Sequence, residues 1–136
     1  SVLNGLNSIQ DTGLVAIHDG VRPFVSASII AESFKVAATT GSAITVVKPK
    51  DSIRKKTNST SQAVDRNDYF LVQTPQTFEL DLIKKAYGNV GDNEFTDDAS
   101  VAEHAGTQLT LINGSYRNIK ITTPEDMIIA QALFEN

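Results

Sequence analysis

Short apolar runs alternate along this chain with stretches of helical period, and that alternation constrains the fold more than any other feature. Leu14–His18 has the pattern of a buried strand and ends in the turn-like pair Asp19-Gly20. Ser26 or Ser28 caps a helix to about Thr39, with Ile29, Ile30, Phe34 and Ala37 inward and Gly41 closing it. Ala43–Val47 reads as the next strand, and Tyr69–Gln73 as another, stopped by Thr74-Pro75. Glu79–Tyr87 is helical up to Gly88, and Thr96 or Asp97 opens a short helix through His104. Leu109–Ile112 and Ile119–Ile121 have strand character. Thr123-Pro124-Glu125-Asp126 supplies a cap, a first-turn proline and first-turn acids to a final helix ending near Phe134. At the other end, Ser1 caps a short helix carrying Val2, Leu3, Leu6 and Ile9 on one face. Strands and helices in this order predict an α/β fold with right-handed crossovers and a mostly parallel sheet covered on both faces. Ligands of such sheets bind beyond the carboxyl ends of the strands, so the loops after strands are where chemistry is expected.

Composition narrows the classes. The 136 residues are 40% apolar, enough for one domain with a core of its own. There is no cysteine, which excludes a disulfide framework, a thiolate metal site and a cysteine nucleophile. Leu14–Ile17 is the longest aliphatic run, far short of a membrane span, and no basic-then-apolar leader is present, so a cytoplasmic protein is expected. A net charge of −4 argues against general nucleic-acid binding. That charge is uneven: residues 48–66 carry a net of +4 within an otherwise acidic chain. The basic island reads as a hairpin, with Ser52–Lys55 and Gln62–Arg66 as arms and 57–61 as the tip. Either a solvated loop or a surface attracting phosphate or acidic groups fits it.

Three strand exits carry polar groups. In His18-Asp19-Gly20-Val21-Arg22-Pro23, Asp19 suits Mg²⁺ or a ribose hydroxyl, Gly20 permits close approach to the backbone, and Arg22 offers a bidentate phosphate clamp. A tight turn with a surface arginine has the same spacing, and His18 is read as a packed strand residue. Gln73-Thr74-Pro75-Gln76-Thr77 is a rigid corner whose hydroxyls suit substrate oxygens. In Asn118–Pro124, Lys120 stands on an otherwise apolar strand, where burial demands an anionic partner, which makes it the first candidate for a phosphate contact. Asp97-Asp98 fits either a metal pair or the acids of a first helical turn. No Gly-rich phosphate loop, paired-His motif or nucleophile elbow occurs in these residues.

Taken together, Ser1-Val2-x-x-Gly5-Leu6, His18–Phe24, Asp51-Ser52-Ile53, Val64-Asp65-Arg66-Asn67, Gln73–Phe78, Thr96–Ser100 and Asn118–Asp126 resemble the 2-C-methyl-D-erythritol 4-phosphate cytidylyltransferases, in family order. The resemblance implies a Rossmann-like nucleotidyltransferase fold and transfer of a cytidylyl group from CTP to methylerythritol phosphate. Pyrophosphate is released with Mg²⁺ present, in non-mevalonate isoprenoid biosynthesis. By position, Lys120 and Asp19 look catalytic, with Asp19 also at the metal and ribose. Ser1, Asp19 and Gly20 resemble the nucleotide side of the site. Arg22, Thr74 and Thr96 resemble acceptor contacts. Ser52, where the family often has Thr, and Arg66 join them from a protruding arm, residues 48–70, that in the family interlocks two subunits of a homodimer. The family's Gly-rich CTP loop has no counterpart here, so residues 1–136 are expected to be the C-terminal part of one nucleotidyltransferase domain, N-terminally truncated and inactive alone. Ribitol-5-phosphate cytidylyltransferases share several motifs, but Val64–Asn67 and Thr96–Ser100 favour the isoprenoid enzymes. A non-catalytic dimerising module is the remaining alternative.

Overall fold

The computed structural model describes residues 2–91 and 94–135. The expected helix cap at Ser1 lies outside the described residues. The elements are α1 (Val2–Ser8), β1 (Leu14–Ile17), α2 (Ala27–Thr40), β2 (Ser42–Val47), β3 (Arg54–Lys56), β4 (Ser61–Ala63), a 3-10 turn at Arg66–Asp68, β5 (Leu71–Glu79), α3 (Leu80–Gly88), α4 (Asp98–His104), β6 (Leu111–Asn113) and α5 (Pro124–Phe134).

The main sheet has the order β1-β5-β2-β6. Here the expectation of a mostly parallel sheet is corrected: β5 is antiparallel to both β1 and β2, and only β2–β6 is a parallel pair. The connection between β2 and β5 is the reason. It contains a hairpin and a 3-10 turn but no crossover helix, so the chain returns antiparallel. The sheet is mixed, with β1, β2 and β6 sharing one direction.

β5 also corrects a boundary. The strand does not stop at Thr74-Pro75 but runs through it to Glu79, with the Thr74–Pro75 peptide cis. Proline cannot donate to a ladder and is accommodated at irregular positions. On the facing strand, the register shifts between Ile44 and Val46, and the intervening Thr45 hydroxyl donates to the Pro75 carbonyl at 2.6 Å.

Ser26 caps α2 by accepting from the Ile29 amide, and Gly41 (φ 83°) ends it with its N–H on the Ala37 carbonyl. The inward ridge is Ile29, Ser33 and Ala37; Ile30 and Phe34, expected inward, are exposed. Ser33 is tolerated inside because the Thr77 hydroxyl donates to it at 2.9 Å. Ile44, Phe78, Leu80, Ile83 and Ala102 form the main core, which fixes α3 and α4 to one face of the sheet. α5 begins with a full capping box at Thr123 and Asp126.

The basic island folds as the antiparallel pair β3–β4, Arg54 opposite Ala63 and Lys56 opposite Ser61, separate from the main sheet and largely exposed. Residues 119–121 form no strand. Their backbone tie in this region is the Ile121 amide on the Val21 carbonyl, 2.9 Å, one bond where a ladder needs several.

Candidate active site

The cavity at the carboxyl end of β1 is about 410 Å³ and is lined by Asp19, Arg22, Thr74, Thr96, Asp97 and Lys120, among others. Asp19 sits where β1 gives way to a turn closed by the Arg22 amide on the Asp19 carbonyl. That turn folds Arg22 back so that Nε donates to Asp19 Oδ2 at 3.1 Å. Arg22 Nη1 meanwhile donates to the Asn118 carbonyl at 2.8 Å, tying the turn to the segment that carries Lys120. Lys120 Nζ reaches the same Asp19 Oδ2 at 3.3 Å. Lys120 does have the anionic partner expected of it, but it lies in an irregular segment and its side chain is 48% exposed rather than buried. Burial pushes the Asp19 carboxyl up; the hydrogen bonds and charges of Arg22 and Lys120 outweigh this and hold it below the usual carboxylate range. The cluster at this end is one carboxylate and two cations; Asp97 and Asp98 line the opposite wall, so the positive charge is confined to the Arg22–Lys120 end, which is the end suited to an anionic group of a ligand.

Thr74, buried on β5, approaches the same turn. Its Oγ1 accepts the Asp19 amide at 3.0 Å and lies 2.9 Å from His18 Nδ1. His18 Nε2 lies 3.0 Å from the Arg22 carbonyl. His18 is exposed and hydrogen-bonded at both ring nitrogens, not packed inside the sheet as expected.

The opposite wall is the start of α4. Asp97 caps it, accepting from the Ser100 amide at 2.9 Å and from the Ser100 hydroxyl. Gln76 on β5 clasps this cap with both ends of its amide: Nε2 donates to Asp97 Oδ2 at 3.1 Å, and Oε1 accepts the Ala99 amide at 2.7 Å. Thr96 therefore projects from a fixed wall. Asp98 is buried and accepts the Tyr87 hydroxyl at 2.5 Å. Burial raises the Asp98 carboxyl, the Tyr87 hydrogen bond opposes the rise, and the neighbouring Asp97 charge adds to it. Burial likewise pushes the Tyr87 hydroxyl up. Asp97 and Asp98 are each engaged by protein donors, Asp97 by Gln76 and Ser100 at the helix cap and Asp98 by Tyr87, which fits the first-turn reading of these acids; no group of three or more His, Asp or Glu side chains able to hold a metal occurs among the described residues.

Of the expected site residues, Asp19, Arg22, Thr74, Thr96 and Lys120 converge on the cavity. Ser52 and Arg66 do not; Ser52 is exposed beside the β3–β4 hairpin, and Arg66, in the 3-10 turn, donates to the Lys50 carbonyl. Gly20 stands in the exposed turn after Asp19, where an added Cβ would meet nothing within 4 Å. Ser1 lies outside the described residues. Sequence reasoning assigns no role to Gln76 or Asn118. Asn118 is fully buried and its Nδ2 donates to the Thr74 carbonyl at 2.8 Å. Their sequence neighbours, Pro75 and Thr77 for Gln76 and Arg117 and Ile119 for Asn118, carry no pattern that marks either amide as buried.

Comparison with known proteins decides the family. The family model described as IspD, 2-C-methyl-D-erythritol 4-phosphate cytidylyltransferase, matches residues 1–136. The chain belongs to this family. Among curated 2-C-methyl-D-erythritol 4-phosphate cytidylyltransferases, that of Bacteroides fragilis is 50% identical over 133 residues and that of Phocaeicola vulgatus 48%. The crystal structure of the Thermus thermophilus cytidylyltransferase superposes with a TM-score of 0.92 at 32% identity, covering 100% of this chain and 68% of that one. The Rossmann-like nucleotidyltransferase fold follows, mixed sheet included. Each of the two curated cytidylyltransferases is matched over 98% of this chain but only 61% of its own length.

Proposed function

We propose that this chain forms the acceptor side of a cytidylyltransferase that joins CTP to 2-C-methyl-D-erythritol 4-phosphate. A phosphate oxygen of the acceptor attacks the α-phosphorus of CTP, the new P–O bond forms, and the bond to pyrophosphate breaks. Such transfers depend chiefly on positioning and on neutralising charge. The observation that carries this reading is the convergence of Arg22 and Lys120 on one carboxylate at the rim of a cavity. Asp19 holds both cations in place before substrate arrives. The half-exposed Lys120 ammonium is free to turn toward phosphate oxygens, while Arg22 is anchored to the Asn118 carbonyl. Thr96 and Thr74 supply hydroxyls on the two walls.

Mg²⁺ would draw on the Asp19 carboxylate, both cations having been placed on Oδ2 alone. With no three-ligand cluster among the described residues, the ion would be carried mainly by triphosphate and water, a common Mg²⁺ arrangement. It would supply charge neutralisation on the triphosphate. Ser52 and Arg66, away from the cavity, fit a role in a neighbouring subunit's site if the 48–70 arm joins two copies. Among the described residues no helix is long and apolar enough to cross a membrane, and we place the enzyme in the cytoplasm.

The test is pyrophosphate release by the protein as its gene encodes it, with methylerythritol phosphate and ribitol 5-phosphate offered side by side. Preference for methylerythritol phosphate is expected, with Lys120→Ala lowering kcat/KM at least about 100-fold. Residues 1–136 alone should be inactive. Preference for ribitol phosphate, or a Lys120→Ala variant within about threefold of wild type, overturns the proposal.

A further inference from the structure

The hydrogen bonds around His18 fix more than distance; they fix where a proton lies. The Arg22 carbonyl can only accept, so His18 Nε2, 3.0 Å away, must carry hydrogen. In the neutral imidazole, Nδ1 is then an acceptor. Thr74 Oγ1, 2.9 Å from Nδ1, must donate its hydroxyl proton there. The same oxygen already accepts the Asp19 amide at 3.0 Å. A hydroxyl has one proton and two lone pairs. With the proton on His18 and one lone pair on Asp19, a single lone pair is all that the Thr74 hydroxyl can still offer a ligand.

We propose that His18 is a positioning residue that holds Thr74 in this polarity, so that Thr74 receives a hydroxyl of the polyol acceptor and does not donate to a phosphate oxygen. Phosphate oxygens at neutral pH need donors, which the Arg22 and Lys120 groups in the same cavity supply. Thr74 and the two cations stand side by side around Asp19 on one wall of the cavity, and their opposite polarities sort the acceptor's groups: hydroxyl to Thr74, phosphate oxygens to the cations. The proposal rests on the cytidylyl-transfer reading for the identity of the acceptor, but not for the location of the proton.

Two measurements test it, both on the protein as its gene encodes it. In the first, nitrogen NMR at about pH 8, where an ordinary imidazole is neutral, reads the ring of His18, assigned by the signals lost in His18→Asn. A pyrrole-like Nε2 with a pyridine-like Nδ1 is expected. A protonated Nδ1, alone or in an imidazolium, overturns the proposal. In the second, acceptor KM and competition by inorganic phosphate are compared across variants. Thr74→Val should raise the KM for methylerythritol phosphate about two- to tenfold, the worth of one neutral hydrogen bond, with kcat little changed. That penalty should vanish for one analogue lacking a single hydroxyl, and inhibition by inorganic phosphate should not weaken. His18→Leu frees the hydroxyl to donate and should tighten phosphate inhibition. His18→Asn, which keeps an acceptor near the Nδ1 position, should restore the wild-type pattern. A Thr74→Val penalty that falls equally on inorganic phosphate and on every analogue overturns the proposal, since it means that Thr74 donates to phosphate. If no acceptor is turned over at all, the cytidylyl reading fails by itself, while the ring shifts and phosphate binding still decide the polarity of Thr74.

Discussion

Replacing Gln76 by Glu tests whether one buried amide holds the α4 wall of the cavity. Gln76 is 1% exposed, and its two ends face groups of opposite need: the Ala99 amide at 2.7 Å and the Asp97 carboxylate at 3.1 Å. Glutamate keeps the acceptor for Ala99 but turns the donor into a second carboxylate oxygen against Asp97. Loss of a hydrogen bond to a charged group costs about 1.5–3 kcal/mol. Two like charges about 4 Å apart repel by up to about 4 kcal/mol at an effective dielectric constant near 20. The pair escapes part of this by holding a proton, so a net loss of about 3–5 kcal/mol at about pH 8 is expected. Burial and Asp97 both raise the introduced carboxyl above its ordinary value of about 4.3. A carboxyl raised in the folded state costs nothing below its unfolded pKa. Its penalty grows as pH climbs from there and is complete above the folded pKa. At about pH 4 the protonated acid can donate to Asp97 as the amide did, and the loss should fall below about 1 kcal/mol. Urea unfolding at the two pH values measures both figures. Gln76→Met, of similar volume, strands the Ala99 amide and Asp97 without adding a charge and should cost about 2–4 kcal/mol at either pH. A Gln76→Glu penalty that does not change with pH, or that stays under about 1 kcal/mol at about pH 8, would refute the clasp.

Two other predictions concern Tyr87, beside this wall, and Gly114, beside the segment that leads to Lys120. Tyr87→Phe removes the hydroxyl on which buried Asp98 relies when ionised, so stability should fall by about 1.5–3 kcal/mol near neutral pH. Because the Asp98 carboxyl already lies above its ordinary value, and losing the hydroxyl raises it further, the loss should shrink on acidification before pH reaches the ordinary carboxylate value of about 3.9; a loss that grows on acidification would contradict this assignment. At Gly114 an added Cβ would meet Thr45 Cγ2 at 2.8 Å and the Val46 carbonyl at 3.2 Å, and would come closer still to Gln73 Oε1. Gln73 Oε1 accepts from the Ser115 amide and from Asn118 Nδ2, both at 3.3 Å. Gly114→Ala should therefore cost about 2–4 kcal/mol through overpacking and displaced hydrogen bonds. An unchanged urea midpoint would show that the site relaxes freely.

Local signals in the chain are strong wherever one segment dictates its own structure. Ser26, Gly41 and the Thr123–Asp126 box end or begin their helices through their own backbone, so the sequence marks those ends. The hairpin at 54–63 likewise depends on neighbours in the chain. Direction of pairing is a different matter. Whether β5 runs with or against β2 depends on what lies between them, and a hairpin there carries no period that distinguishes an arm from the body of the sheet. The end of β5 is hidden from the sequence because proline usually stops a strand, whereas a register shift around Thr45 absorbs this one. At the site, Asp19, Arg22 and Lys120 are legible because unusual charges at strand exits stand out against apolar flanks. Gln76, Asn118 and the double engagement of His18 are not, since the buried amides are defined by partners 21 and 44 residues away and the His18 ring by Thr74, 56 residues away, together with nearby Arg22.

The architecture explains why those distant partners matter. β5 carries four polar side chains in its buried stretch, and each serves a different part of the molecule. Gln73 holds Ser115 and Asn118; Thr74 holds His18 and Asp19; Gln76 holds Asp97 and Ala99; Thr77 holds Ser33 of α2. A buried polar group left without its partner costs about 1–3 kcal/mol, so each of these contacts is needed for the fold to be stable. Three of the four also set a wall of the cavity: the segment leading to Lys120, the turn bearing Asp19 and Arg22, and the cap next to Thr96. An apolar strand at this position would pack as well but would leave those three loops to find their own arrangement. Because the same hydrogen bonds stabilise the sheet and orient the loops, a substitution at Gln73, Thr74 or Gln76 moves site geometry and global stability together, and only a ligand-specific readout tells the two apart there. They can be separated at Thr77, whose partner faces away from the cavity into α2, and at Lys120, which is exposed and bears on charge rather than on packing.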